Sequence, residues 1–241
     1  MGLDWLDSVH AGAREILSKT HTINVVVNNA GVRATPEGLT KDGFETQFGT
    51  NHIAHFLLFQ LLKPTLLNSS TKAFQSRVIC VSSFGHREGP VRFDDYNFDK
   101  PSLYKGWAAY GQAKTANIYM ANEIERRYNS QGLHGITLHP GGIKSNLQVH
   151  VNKEGMLDMW ELPEVKATEK TPAQGAATSV YAALSRDWEG KGGIYLSNCA
   201  VMGPFRGKHS MDVSDDGYAP YAYEAFVRRQ TLEGLFEDGR N

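Results

Sequence analysis

Four short apolar runs limit what this chain can fold into. Ile23-Asn24-Val25-Val26-Val27, Arg77-Val78-Ile79-Cys80-Val81 and Gly135-Ile136-Thr137-Leu138 are brief and rich in β-branched residues, and Ile194-Tyr195-Leu196 follows Gly192-Gly193. Runs of this length and composition suit strands buried on both faces of a parallel sheet. The first three end in small or polar residues: Asn28-Asn29-Ala30-Gly31, Ser82-Ser83, and His139-Pro140-Gly141-Gly142. The Ala30-Gly31 pair lets another group approach the backbone closely.

Helical patterns separate the strands. Residues 4–19 read as a helix capped by Asp7 or Ser8. Leu39 to Leu67 is mostly helical, interrupted at Gly49-Thr50-Asn51 and bent or ended by Pro64. Asn51 is a poor helix former, either a satisfied polar residue at a bend or a kink that aims its amide or its carbonyl at a site. Another helix runs from Tyr110 to about Tyr128. Thr171-Pro172-Ala173-Gln174 is a capping start for a helix reaching about Leu184, and 221–235 predicts a terminal helix. Alternating helix and strand implies right-handed crossovers and an α/β fold, one parallel sheet with helices on both faces, built from the whole 241 residues as a single domain. Ligands of such sheets lie beyond the carboxyl ends of the strands, where Asn28, Ser83 and Pro140 converge.

Tyr110-Gly111-Gln112-Ala113-Lys114 adds chemistry to that rim. Side chains four apart on a helix share a face, so the phenol and the ammonium point into the same space. A free tyrosine titrates near about 10, and a neighbouring cation favours the phenolate, bringing the phenol into range for proton transfer near neutral pH. Residues 143–170 show no clean period. With Met156, Leu157, Met159, Trp160 and Leu162 they predict a mobile apolar lid or substrate wall.

Hydrophobic residues make up 41% and charged residues 21%, with a net charge of −1, as in a soluble globular protein. Arg126-Arg127 and Arg228-Arg229 are isolated pairs, which argues against a nucleic-acid partner. No apolar stretch is long enough to span a membrane, and the N-terminus lacks the apolar region of a signal peptide. Cys80 and Cys199 sit in apolar runs and read as reduced core residues of a cytoplasmic protein. No metal-ligand spacing is present, and the nine histidines, His86 and His139 among them, read as surface or packing residues.

Together, Asn28-Asn29-Ala30-Gly31, Asn51, Ser83, Tyr110-x-x-x-Lys114 and Pro140-Gly141 resemble the short-chain dehydrogenase/reductase family, over nearly the whole chain and in family order. Val81-Ser82-Ser83-Phe84-Gly85-His86 and Gly217-Tyr218-Ala219-Pro220 resemble its retinol-dehydrogenase-like and WW-domain-oxidoreductase-like branch. The resemblance implies a Rossmann-like fold and an NAD(P)-dependent enzyme that interconverts an alcohol and a carbonyl on a small, apolar substrate, with NADP favoured over NAD. It implies that Tyr110 is the general acid or base and that Lys114 tunes it and bonds the nicotinamide ribose. Ser83 would hold the substrate oxygen with support from Ser82, and Asn51 would hold a water in a proton relay. Asn28, Ala30 and Gly31 would line the cofactor, with Pro140, Gly141 and Ile143 against the nicotinamide and Ser145 where the family often has Thr.

One departure is large. The family opens with a strand and a Gly-x-x-x-Gly-x-Gly turn that binds the pyrophosphate. No such motif occurs here. The expectation is an N-terminally truncated Rossmann-like sheet, lacking the first three strands of the family fold and either self-associating through the uncovered edge or poorly soluble. Two other functions stay open: a non-redox acid–base enzyme (isomerase, dehydratase or cyclase) and a non-catalytic remnant that binds a protein partner.

Overall fold

A computed structural model describes residues 1–100, 103–148, 150, 162–210 and 212–224. The expected terminal helix at 221–235 and the apolar residues Met156, Leu157, Met159 and Trp160 lie outside these, apart from 221–224, where a 3-10 turn spans Pro220–Tyr223.

The element order is α1 (Leu6–Lys19), β1 (Val25–Asn28), α2 (Thr46–Phe48), a π-helical turn (Gly49–Ile53), α3 (Ala54–Ser69), β2 (Ser76–Val81), α4 (Gly106–Tyr128), β3 (Leu133–His139), β4 (Gly142–Ile143), α5 (Pro163–Ala167), β5 (Glu169–Lys170), α6 (Pro172–Leu184), β6 (Ile194–Ser197) and β7 (Ala200–Val201). The main sheet has the order β1-β2-β3-β6-β7. The first four strands are parallel, and β7 turns back antiparallel on β6. This is the expected α/β fold. The alternation of side chains along β2 builds its two cores. Val78 and Cys80 face α1, α3 and α4 together with Leu58, Leu62, Leu66 and Met120. Ile79 and Val81 face α6, packing with Ala182, Ala183 and Trp188.

The first strand departs from the expectation of burial on both faces. β1 is half-buried, and Val27 is 42% exposed. It lies at the sheet edge, and no strand pairs its outer side among the described residues. Neither Asp7 nor Ser8 caps α1. The Leu6 N–H donates instead to Asp42 Oδ2 at 2.8 Å, a cap supplied from another part of the chain. The helix expected from Leu39 begins at Thr46, because the Glu45 carboxylate accepts the N–H groups of Gln47 (2.8 Å) and Phe48 (2.7 Å). α3 runs through Pro64 to Ser69, held beyond the proline by fully buried Leu66. Cys80 is a core residue, its thiol pushed up to about 12 by burial. Cys199 is not. It sits exposed in the turn between β6 and β7, where Asn198 and Cys199 both take positive φ.

Residues 143–170 start and finish as paired strands. β4 runs parallel to β5, with Gly142 opposite Glu169 and Ile143 opposite Lys170.

Candidate active site

Helix α4 carries the site. From Ala109 to Ile124 it is buried on every side, with Tyr110 only 3% and Lys114 only 5% exposed. Three bonds stitch it to the carboxyl end of β2. Lys114 Nζ donates to the Val81 carbonyl at 3.1 Å, and Asn117 Nδ2 donates to the same oxygen at 3.2 Å. The Ser82 hydroxyl donates to the Lys114 carbonyl at 2.8 Å. Lys114 Nζ lies 5.6 Å from the centre of the Tyr110 ring. The shared face expected from a spacing of four is therefore formed, and Asn117, three residues further on, joins it.

Ser83 leaves β2 extended, and its hydroxyl accepts the Gly85 N–H at 3.1 Å. That leaves the hydroxyl proton to donate elsewhere. Gly85 is where Ser83 and Tyr110 meet. A Cβ there would lie 2.9 Å from Tyr110 Cδ1 and Cε1 and 3.5 Å from Ser83 Oγ.

The turn after β1 is clamped from the π-helical turn. A π-turn is a common distortion at functional sites. Here it closes with Ala54 N–H on the Gly49 carbonyl and places Asn51 beside the turn. Asn51 Oδ1 accepts the Val32 N–H at 2.8 Å, and its Nδ2 donates to the Val32 carbonyl at 2.8 Å. Two residues on, Ala34 N–H donates to Gln47 Oε1 at 2.8 Å, and Ala34 holds φ 47°. Gly31 lies close beneath; a Cβ on it would meet Asn51 Oδ1 at 2.8 Å and stand 3.7 Å from Lys114 Nζ.

These elements wall a cavity of about 1040 Å³ lined by Ala30, Gly31, Ser83, Tyr110, Lys114, Pro140, Gly141, Ile143 and Ser145. Asn28 and Asn51 stand behind the wall. Asn51 reaches it through Val32. The Asn28 amide is buried beside the Cys80 thiol of β2, which it helps to hold below the value burial alone would give. A second cavity of about 490 Å³ adjoins the first at Phe84, His139, Gly141 and Gly142. No group of His, Cys, Asp or Glu suited to holding a metal occurs among the described residues. No helix there is long and apolar enough to cross a membrane.

Several residues of the site carried no separate signal in the sequence. Arg33 lines the cavity, with its guanidinium 5.4 Å from the centre of the Trp107 ring. Their meeting depends on a tertiary clamp that no local pattern encodes. His139 is buried and lines both cavities, while His86 packs behind them. Burial pushes both down to about 3, and His52 and His55 down to about 4.

The profile of the short chain dehydrogenase family matches residues 3–155. The chain belongs to the short-chain dehydrogenase family. It is similar to a short-chain dehydrogenase/reductase of Penicillium roqueforti, 48% identical over 219 residues, which covers 91% of this chain and 63% of that protein. It is 37% identical to retinol dehydrogenase 14 of Homo sapiens over 194 residues, 80% of this chain and 56% of that one. The chain thus spans about three-fifths of the length of these curated relatives. Among solved structures, an uncharacterised protein from Mycobacterium Paratuberculosis superimposes with a TM-score of 0.65 at 29% identity, covering 99% of this chain and 73% of that one. An NADPH-bound carbonyl reductase from chicken fatty liver shares the fold, with a TM-score of 0.56 at 22% identity over 84% of this chain and 75% of that one. The chain thus has the α/β fold of the short-chain dehydrogenases.

Proposed function

We propose that this chain is the catalytic part of an NAD(P)-dependent oxidoreductase that interconverts an alcohol and a carbonyl on a small, mainly apolar substrate. The observation that carries this reading is the grouping of Ser83, Tyr110 and Lys114 in the lining of one cavity, together with Pro140 and Gly141. The bound nicotinamide supplies or takes the hydride. The residues supply position, protons and charge. A carbonyl oxygen between Ser83 and Tyr110 receives the serine proton as a hydrogen bond and the phenol proton as general acid. The Lys114 ammonium stabilises the charge then left on the phenolate. It spends one of its three N–H donors on the Val81 carbonyl and keeps two for ribose hydroxyls. Asn51 fixes the turn that bears Gly31 through Val32, and in this proposal its other task is to hold the relay water.

The cradle fits the nicotinamide half of the cofactor. Gly31 leaves the wall beside Lys114 bare of side chain, and a Cβ there would fill it. NADP is favoured over NAD by analogy with the NADPH-bound carbonyl reductase, whose likeness is one of fold. The proposal sets the protein in the cytoplasm, where the free Cys80 and Cys199 stay reduced.

Steady-state kinetics of two variants test the assignment. Tyr110→Phe removes the transferable proton and is expected to lower kcat by about 10²- to 10⁴-fold. Lys114→Met is expected to lower kcat and weaken cofactor binding together. A Tyr110→Phe variant that kept most of its kcat would overturn the role given to Tyr110.

A further inference from the structure

Lys114 is held by an oxygen that it shares. The Val81 carbonyl accepts Lys114 Nζ at 3.1 Å and Asn117 Nδ2 at 3.2 Å. A carbonyl oxygen has two lone pairs. With Asn117 on one of them, the ammonium is confined to the other, and its remaining N–H groups keep one direction. Asn117 is fixed in turn. Its Nδ2 faces an oxygen that can only accept, so its Oδ1 faces the Nδ1 of His52, 3.1 Å away. The amide oxygen also can only accept, so the proton of the His52 ring sits on Nδ1. Burial pushes the pKa of His52 down to about 4, which leaves the ring neutral, with that single proton, near neutral pH. Both side chains are buried, and the His52 ring packs against Phe48 and Phe56, with centres 5.3 Å and 6.3 Å apart. Its Nε2 is buried without a hydrogen-bond partner among the described residues. An apolar ring in that slot would leave no such atom, so packing alone gives no reason for a histidine there. The π-helical turn Gly49–Ile53 thus serves two sides of Lys114. Its Asn51 clamps the turn after β1 through Val32, and its His52 reaches across to Asn117 on α4.

We propose that His52 and Asn117 are positioning residues for the reaction: they occupy the second lone pair of the Val81 carbonyl and so give the Lys114 ammonium a single place beside Tyr110. His52 orients the Asn117 amide, and the amide leaves Lys114 one direction of approach to the carbonyl. Without them the ammonium has two arrangements, of which one serves the site. The inference rests on the oxidoreductase reading for what Lys114 does, and not for where Lys114 is held.

Two substitutions of one residue separate positioning from packing. His52→Phe keeps the ring and its packing but removes the Nδ1 donor. His52→Asn gives up part of the packing but keeps a donor where Nδ1 stands. Packing alone ranks Phe above Asn, and positioning ranks Asn above Phe. Two readouts follow the variants: exchange of the Lys114 ammonium protons with water, from a 1H–15N signal assigned by its loss in Lys114→Met, and reduction of 4-nitrobenzaldehyde by NADPH. His52→Phe is expected to speed the exchange and to lower kcat, each by about tenfold, while His52→Asn stays within about threefold of the parent in both. Asn117→Leu should match His52→Phe, and adding His52→Phe to it should cost less than about twofold more, because the two residues act as one unit. If Asn117→Leu does not fold, the two His52 variants decide alone. Exchange and kcat unchanged in His52→Phe, His52→Asn falling below His52→Phe, or additive losses in the double variant would overturn the proposal. If the exchange rates follow the expected order while the parent protein reduces no aldehyde, the positioning stands and the redox reading falls. If parent and His52→Phe reduce the aldehyde equally well, the redox reading stands and the positioning falls.

Discussion

At the scale of single residues, the site is built by contact as much as by chemistry. Gly85 is the clearest case, since a methyl group there would press on the Tyr110 ring at 2.9 Å. Gly85→Ala is therefore expected to displace the phenol and lower kcat by about tenfold or more, while thermal unfolding shifts by only a few degrees. Kinetics and calorimetry on one preparation check this, and an unchanged kcat would mean that the ring position does not govern the chemistry. Tyr110, Lys114 and Ser83 were legible in the sequence because a spacing of four on a helix and a polar residue at a strand end have direct geometric meaning. Arg33 was not. Its place in the lining follows from Asn51 and Gln47 clamping its two neighbours, and both clamps lie on other elements.

Among the elements, α6 shows local sequence signals at their strongest. Thr171 and Gln174 form the expected capping box, with Gln174 N–H on Thr171 Oγ1 at 3.3 Å and Thr171 N–H on Gln174 Oε1 at 2.9 Å. Thr171→Ala is expected to cost about 1 kcal/mol in denaturant unfolding. The start of α1 shows the opposite case. Its cap, Asp42, is 36 residues away, so the first turn gave no means of choosing it over Asp7 or Ser8. The turn Phe84–Glu88 couples the site to acid stability. His86 gives its Nδ1 proton to the Ser83 carbonyl and accepts the Ala219 N–H on Nε2 at 2.9 Å, so the ring is held neutral. Burial sets its pKa at about 3, against 6.5 for a free histidine. Below pH 6.5 the unfolded chain takes up a proton that the folded chain refuses, so stability falls as pH drops from about 6.5 towards 3. The loss is about 1.4 kcal/mol per pH unit for each such histidine. His52, His55 and His139 act in the same sense. Unfolding free energies measured between pH 7 and 5 should fall steeply, and His86→Gln should flatten the slope; a flat profile in the parent protein would contradict the buried neutral state.

For the whole molecule, one edge of the sheet decides behaviour. β1 carries Val27 at 42% exposure, with Val180 and Leu184 of α6 exposed at 54% and 61% along the same cavity. An apolar strand without a neighbour on its outer side is a template for association. The 241 residues expressed alone are thus expected to run as oligomers in size-exclusion with light scattering, and a clean monomer would refute this. The alternation of helix and strand made the sheet, and the convergence of its strand ends on one rim, readable in the sequence. The half-exposed state of β1 was hidden, because composition reports what a strand can bury and not what stands beside it. Hydride transfer assisted by the Tyr110 proton is the central claim, and isotope transfer tests it most directly. The protein is given a carbonyl substrate and NADPH deuterated at the transferable position, and the alcohol product is read by mass spectrometry. Deuterium should appear on the carbinol carbon with the parent protein and be nearly absent with Tyr110→Phe. Product formed without deuterium, or label transferred equally well by Tyr110→Phe, would contradict the account.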